Sequence, residues 1–145
     1  GVKGNFINLF NAIQKGRRLP LGIIQNSRSL LYVENLADVI AIAVEHTNAG
    51  NKTFFVSDTE AVSTPTLVKK IAGALDTAPR LINFPLGLLK FAGVLTGKSA
   101  AIRRLTGSLT VETSHLKTTL GWQPPYSIDQ GLKETATWYK ANSAK

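Results

Sequence analysis

An arginine stands at the head of a short apolar run that leads straight into a helix. Residues 28 to 38 read Arg-Ser-Leu-Leu-Tyr-Val-Glu-Asn-Leu-Ala-Asp. Leu30, Leu31 and Val33 supply the apolar content of a strand. Asn35, with Asp38 following, approximates a capping pair at a helix start, because short polar side chains accept hydrogen bonds from the free N–H groups there. A guanidinium fixed at such a rim can grip a phosphate through two parallel hydrogen bonds. Taken alone, the pattern is better described as a surface arginine beside an ordinary strand–helix joint. Other chemistries lack their residues. There is no Cys, which excludes disulfides, thiolate catalysis and Cys-based metal sites. His46 and His115 have no partner at metal-ligand spacing, and His46 near a helix end is expected to cap carbonyls. No Gly-x-Gly-x-x-Gly or Walker loop is present, so a dinucleotide or nucleoside triphosphate lacks its usual phosphate cradle. Asp38, Asp58, Glu60, Glu112 and Asp129 show no acid–base pairing. The chain carries binding groups and no visible catalytic set.

The composition narrows the partners. A length of 145 residues is one domain's worth, and 43% hydrophobic with 18% charged residues is ordinary for a folded chain. The formal net charge of +8 favours anionic partners. The cations are scattered in small pairs, Arg17–Arg18, Lys69–Lys70 and Arg103–Arg104, without interleaved aromatics, which argues against nucleic acid. The most apolar stretch, Phe84 to Leu95, is interrupted by Pro85, Gly87, Lys90 and Gly93 and falls short of the roughly 20 apolar residues that span a bilayer. No stable membrane insertion is expected. A core helix is the first reading of that stretch, a membrane surface or partner domain the second. No signal peptide is visible. The chain has no Met and opens Gly-Val-Lys-Gly-Asn, which reads as mid-loop, so it is expected to be a piece of a longer protein.

The elements that must position Arg28 follow from periodicity and punctuation. Phe6, Leu9, Phe10 and Ile13 predict a helix over 5–15 with Gly16 as its stop. Leu19 to Ile24 reads as a bent strand broken by Gly22, and Leu30 to Val33 as the strand already described. Glu34 to His46 is an apolar-rich helix. Thr53 to Val56 is β-rich. Thr64 is expected to cap a helix running to about Asp76 with Pro65 at its first position. Arg80 to Phe84 reads as a strand, 85–95 as a helix and Ser99 to Thr106 as a short basic helix. A helix opening at Glu112 or Thr113 ends at Leu120 with Gly121 as a left-handed stop. Ser127 and Gln130 have capping-box spacing ahead of the last helix. No internal linker divides the chain.

Arg28 to Asp38 resembles the Arg-Asp-Tyr-Ile-His-Val-x-Asp-Leu-Ala element of the extended short-chain dehydrogenase/reductases, which include nucleotide-sugar 4-epimerases (UDP-glucose 4-epimerase-like proteins), 4-reductases and 4,6-dehydratases. The flanking matches keep the family's order. Thr53 to Ser57 resembles its next strand and Ser63-Thr64-Pro65-Thr66-Leu67 the following helix start. Leu120-Gly121-Trp122-Gln123-Pro124 is similar to a C-terminal signature, and Gly131-Leu132 through Trp138-Tyr139 to the closing helix. Arg-Ser-Leu-Leu-Tyr-Val-Glu-Asn-Leu is most similar to the corresponding segment in proteins of bacterial surface-polysaccharide synthesis.

The resemblance implies an α/β fold: the mixed, helix-rich C-terminal substrate-binding part of an extended short-chain dehydrogenase/reductase, with a few short strands and without most of the Rossmann sheet, over residues 1–145. It implies that NAD or NADP and the Tyr-x-x-x-Lys machinery belong to an N-terminal Rossmann domain absent here; Tyr32, Tyr126 and Tyr139 are followed four residues on by Leu36, Gln130 and Ser143. The full-length protein would be a cytoplasmic, homodimeric enzyme acting at C4 of a UDP-sugar, and this part alone would be inactive. Carried over by position, Asn5 and Phe6 lie near the diphosphate and nucleoside, Leu21 in Leu19-Pro20-Leu21-Gly22 packs on the uracil ring, and Arg28 grips the diphosphate. Arg103 or Arg104, with Ser108, falls where the family binds phosphate and ribose, although Arg104-Leu105-Thr106-Gly107-Ser108 departs from its Arg-x-Gly-Asp-like pair. Ser29 and Tyr32 replace an Asp and a His of the common pattern. A non-catalytic nucleotide-binding or regulatory protein on the same scaffold is the alternative.

Overall fold

The computed structural model describes the backbone of residues 5–143 and the side chains of residues 6–142. Its helices are α1 (Asn5–Gln14), α2 (Val33–Glu45), α3 (Thr64–Ala74), α4 (Leu86–Leu95), α5 (Ser99–Thr106), α6 (Ser114–Leu120) and α7 (Ile128–Ser143), with a 3-10 turn at Thr47–Ala49. The main core lies where α3 packs against α1 and α7. Phe10 and Ile13 of α1, Val68 and Ile71 of α3, and Leu132 and Tyr139 of α7 fill it, joined by Leu21 and Ile24 from the loop between α1 and α2. These residues recur at helical spacing, so each helix presents one apolar stripe to the others. A second, smaller core joins Val39 of α2 to Leu116 and Leu120 of α6 and to Trp122. Gly16 and Gly121 both take positive φ, +61° and +65°, and end α1 and α6 as the sequence predicts.

The expected strands shrink to isolated bridges among the described residues: Leu19 with Leu81, and Arg28 with both Val62 and Leu109. Leu30–Val33 and Thr53–Val56 have strand composition but form no ladder. A strand is defined by its partners, and β-propensity cannot supply them. Only Arg28 is paired on both sides. It exchanges backbone hydrogen bonds with Val62 (2.9 Å each way), while Leu109 N–H donates to the Ser27 carbonyl and Ser29 N–H to the Leu109 carbonyl (2.8 Å each).

Two caps differ from their sequence reading. Ser63, not Thr64, caps α3, its Oγ accepting from Thr66 N–H at 3.2 Å, and Pro65 stands one position further in. The buried Thr64 hydroxyl donates instead to the Leu105 carbonyl at 2.7 Å. At α2 the N-cap is Tyr32, without a side-chain cap of its own. The Asp58 carboxylate serves from a distance, accepting from Tyr32 N–H at 3.1 and 3.2 Å. Asn35 sits inside the helix, and Asp38 accepts from the Trp122 indole N–H at 2.7 Å. The box ahead of α7 forms as expected: Gln130 Oε1 accepts from Ser127 N–H (2.8 Å) and Ser127 Oγ from Gln130 N–H (3.3 Å). Nor is α4 a core helix. Gly93 is its buried residue, and Leu88, Phe91, Val94 and Leu95 are exposed, because among the described residues α5 is the helix against which α4 chiefly packs.

Candidate functional site

The bridges on either side of Arg28 hold its backbone rigid. Its Nη1 donates to the carbonyls of Arg104 and Gly107, the latter at 3.0 Å. These lie at the C-terminal end of α5, where a cation complements the partial negative charge of the helix end. Among the described residues the hydrogen bonds of this guanidinium all come from Nη1. Nε and Nη2 remain as two donors in a fixed fork, the geometry that suits a diphosphate oxygen pair. Arg28 is half-buried, so its remaining donors stay within reach of a ligand.

Asn26 carries this anchoring further. Its Nδ2 donates to Thr64 Oγ1 (3.0 Å), the Leu105 carbonyl (3.2 Å) and the Gly107 carbonyl (3.1 Å), and its Oδ1 accepts from Thr64 N–H (2.8 Å). One amide thus ties the segment before Arg28 to the start of α3 and the end of α5. The sequence shows Gln25-Asn26-Ser27 only as turn material, since nothing local reveals a bond to residues 38 to 81 positions away. Thr64 was likewise legible only as a cap.

Leu105 links this network to a cavity of about 260 Å³. Its walls are Leu9 and Ala12 of α1, Leu19, Pro20 and Leu21 of the following loop, Leu89 of α4 and Ala101, Ile102 and Leu105 of α5, with Asn8 at the edge. The lining is almost wholly apolar, and the space matches a planar ring rather than a whole nucleotide-sugar. Leu21 stands in this wall. The backbone there is pinned to the segment before α4: Leu19 N–H donates to the Arg80 carbonyl (2.8 Å) and Gly22 N–H to the Ile82 carbonyl (3.0 Å).

The other candidates fall differently. Phe6 does not line the cavity: it is tilted against Phe10 with centroids 5.3 Å apart and borders a separate hollow with Ile7 and Tyr139. Asn5 opens α1, and its side chain lies outside the described residues. The Ser108 hydroxyl accepts from Ser27 N–H at 3.1 Å, which fastens it beside Arg28. Arg103 and Arg104 point to different sides of α5, because successive helical residues are rotated by about 100°. Arg103 joins Lys90 in a notch against α4, while Arg104 contributes its carbonyl to Arg28.

Tyr32 meets Tyr126 edge-to-face, 5.6 Å between centroids. Desolvation raises its hydroxyl pKa above the usual phenol value, with Glu34 and Glu134 adding to the shift. It therefore stays protonated at neutral pH as a hydrogen-bond donor and not a base. His46 Nδ1 accepts from Asn48 N–H (3.2 Å) and caps the 3-10 turn rather than a carbonyl end, and His115 stacks on Phe54. Among the described residues no group of three or more His, Cys, Asp and Glu can hold a metal ion. The residues present do not fit a dinucleotide either: among the described residues no strand ladder feeds a glycine-rich turn into a helix, and the chain lacks Tyr-x-x-x-Lys.

Comparison with known proteins supplies the context. No protein-family model matches the chain. A UDP-glucose 4-epimerase of Vibrio cholerae is 45% identical over 137 residues, covering 94% of the chain and 42% of that protein. An N-acetyl-alpha-D-glucosaminyl-diphospho-ditrans,octacis-undecaprenol 4-epimerase of Escherichia coli O157:H7 is 25% identical over 154 residues, 99% of the chain and 46% of that protein. The chain thus spans less than half the length of these curated relatives. Among solved structures, a UDP-N-acetylglucosamine 4-epimerase from Bacillus cereus superimposes with a TM-score of 0.68 at 16% identity, over 96% of the chain and 42% of its own. A dTDP-glucose 4,6-dehydratase from Bacillus anthracis gives 0.64 at 18% identity, over 97% and 40%. In sequence the chain is similar to part of these 4-epimerases, and its fold is that of the helix-rich C-terminal portion of such proteins, outside the Rossmann sheet.

Proposed function

We propose that the chain forms the nucleotide-sugar side of an NAD(P)-dependent 4-epimerase or 4-reductase of surface-polysaccharide synthesis, binding a UDP-sugar for chemistry at its C4. The observation that carries this reading is the 45% identity to a UDP-glucose 4-epimerase along nearly the whole chain. The geometry supports it. The apolar cavity lined by Leu21 takes the uracil ring, the two remaining donors of Arg28 hold the diphosphate, and Arg104 with Ser108 approaches the phosphate and ribose from the end of α5. Hydride chemistry and its cofactor belong to a different part of the enzyme, so this chain alone binds a nucleotide and does not transform it.

Calorimetric titration of the chain with UDP and with uridine tests the assignment. A charge-assisted arginine contact contributes about 1.5–3 kcal/mol, so Arg28→Ala is expected to weaken UDP binding by roughly tenfold or more. Uridine, which lacks the diphosphate, should bind both proteins equally. Loss of the α5 cap alone would lower both affinities together. Unchanged UDP affinity in Arg28→Ala overturns the reading.

A further inference from the structure

The helical pair α4–α5 combines two features that the nucleotide site does not use. The outer face of α4 exposes Leu88 (55%), Phe91 (62%), Val94 (68%) and Leu95 (71%), an apolar arc opposite Gly93, which faces α5. The stretch that forms it carries charge of one sign. Between Asp76 and Glu112 the chain carries Arg80, Lys90, Lys98, Arg103 and Arg104 and no Asp or Glu. Lys90 borders the apolar arc and shares a surface notch of about 400 Å³ with Val94, Ser99, Ile102 and Arg103. Two cations and a hydroxyl therefore converge at the edge of an exposed apolar ridge.

We propose that the α4–α5 pair is a docking surface for an anionic lipid bilayer. The apolar arc enters the boundary between headgroups and acyl chains, and a lipid phosphate seats in the notch between Lys90 and Arg103. Charge complementarity selects this occupant. An apolar helix face with Lys90 and Arg103 at its edge, in a stretch without acidic residues, matches the layering of an anionic leaflet, with hydrocarbon below a phosphate plane. Close approach of the two helices makes the surface stiff: a Cβ on Gly93 would lie 2.4 Å from Ile102 Cδ1, so α5 presses directly on α4. Among the described residues no helix is long and apolar enough to cross a membrane, and α4 is accordingly read as lying on the bilayer. The proposal is independent of the nucleotide-binding reading, because the arc and the two cations of the notch lie outside the cavity that holds Leu21, with Ile102 as the wall between cavity and notch.

Co-sedimentation of the 145-residue chain with vesicles tests it. Partition onto phosphatidylglycerol–phosphatidylcholine vesicles is expected to exceed partition onto pure phosphatidylcholine by roughly tenfold or more, and to fall as salt rises. Phe91→Asp and the pair Lys90→Glu with Arg103→Glu should each remove most of that binding; all three positions are exposed, and circular dichroism checks that the helices persist. Lys69→Glu, a charge reversal at an exposed position of α3, should leave most of it intact. Equal binding to neutral vesicles, insensitivity to Phe91→Asp, or an equal loss in Lys69→Glu overturns the proposal, as does the absence of vesicle binding.

Discussion

Asn35 is fully buried, and its amide joins three segments of the chain. Nδ2 donates to Asp58 Oδ1 (2.7 Å) and to the Tyr126 carbonyl (2.9 Å), while Oδ1 accepts from Tyr126 N–H (3.0 Å). Asn35→Ala leaves a buried carboxylate oxygen and two backbone groups short of partners and opens a void. It is expected to cost about 2–4 kcal/mol in denaturant unfolding. The sequence shows Asn35 as half of a capping pair because that is its local grammar; its true partners, Asp58 and Tyr126, are brought in by the fold. Glu112 behaves in the more local manner. Its carboxylate accepts from the hydroxyl and the N–H of Ser114 at the start of α6, and these bonds, the hydroxyl's foremost, hold its pKa below the ordinary value of 4.5. A carboxylate depressed in the folded state stabilises it above the unfolded pKa and loses that contribution as pH falls through the folded one. An NMR titration should therefore place the Glu112 midpoint below 4.5. Glu112→Gln should lower stability at neutral pH and converge with the parent protein once the medium is acid enough to protonate both states.

Helices were legible at the scale of elements because their evidence is internal. Phe10 and Ile13 in α1, Val68 and Ile71 in α3, and Leu132, Ala136 and Tyr139 in α7 repeat at a spacing that no other structure uses, and Gly16 and Gly121 mark ends that only a left-handed residue can make. Strands and faces were not legible, because Leu30–Val33 depends on a neighbour and the exposure of α4 depends on what stands beside it. The candidate site divides in the same way. Arg28 and Leu21 stand out in the sequence as candidates, whereas nothing local points to Asn26 or to the α5 carbonyls that fix Arg28. Gly73 and Gly131 show how far the element scale departs from sequence. Both lie within helices, and alanine at either gains about 1 kcal/mol of intrinsic helix propensity. A Cβ at Gly73 meets nothing within 4 Å, but at Gly131 it would lie 2.8 Å from Tyr32 Cγ and 2.9 Å from Cδ2. Gly73→Ala is therefore expected to raise the unfolding midpoint. Gly131→Ala must push the Tyr32 ring or α7 aside and should come out about 1–3 kcal/mol worse than Gly73→Ala in the same assay.

The whole molecule has an apolar face that its own core does not cover. Val33, Leu36, Ile40 and Val44 follow one another along the outer side of α2, Val44 is 80% exposed, and Phe55 further along the chain is 67% exposed. The inner side of the same helix holds Val39 against Leu116, Leu120 and Trp122, so α2 is apolar on both sides, the pattern of a helix sandwiched between two layers. The extended backbone of Leu30 and Leu31 leads into this face; the Leu30 carbonyl accepts from Asp58 N–H at 2.7 Å, but no ladder forms there among the described residues. We propose that an upstream Rossmann domain covers this surface in the complete enzyme, and that in the chain by itself a second copy does so. A contiguous apolar stripe of this kind drives association in water. In sedimentation velocity the 145-residue chain should show a weight-average mass that rises with concentration toward a dimer. Replacing Ile40 and Val44 together by Lys places two charges in the middle of the stripe without touching Val39, so the variant should keep its helical signal while the concentration dependence is lost. A parent chain that stays monomeric at high concentration, or a double variant that associates as strongly as the parent, would place the dimer contact elsewhere or remove it, and the double-sided pattern of α2 would then need another explanation.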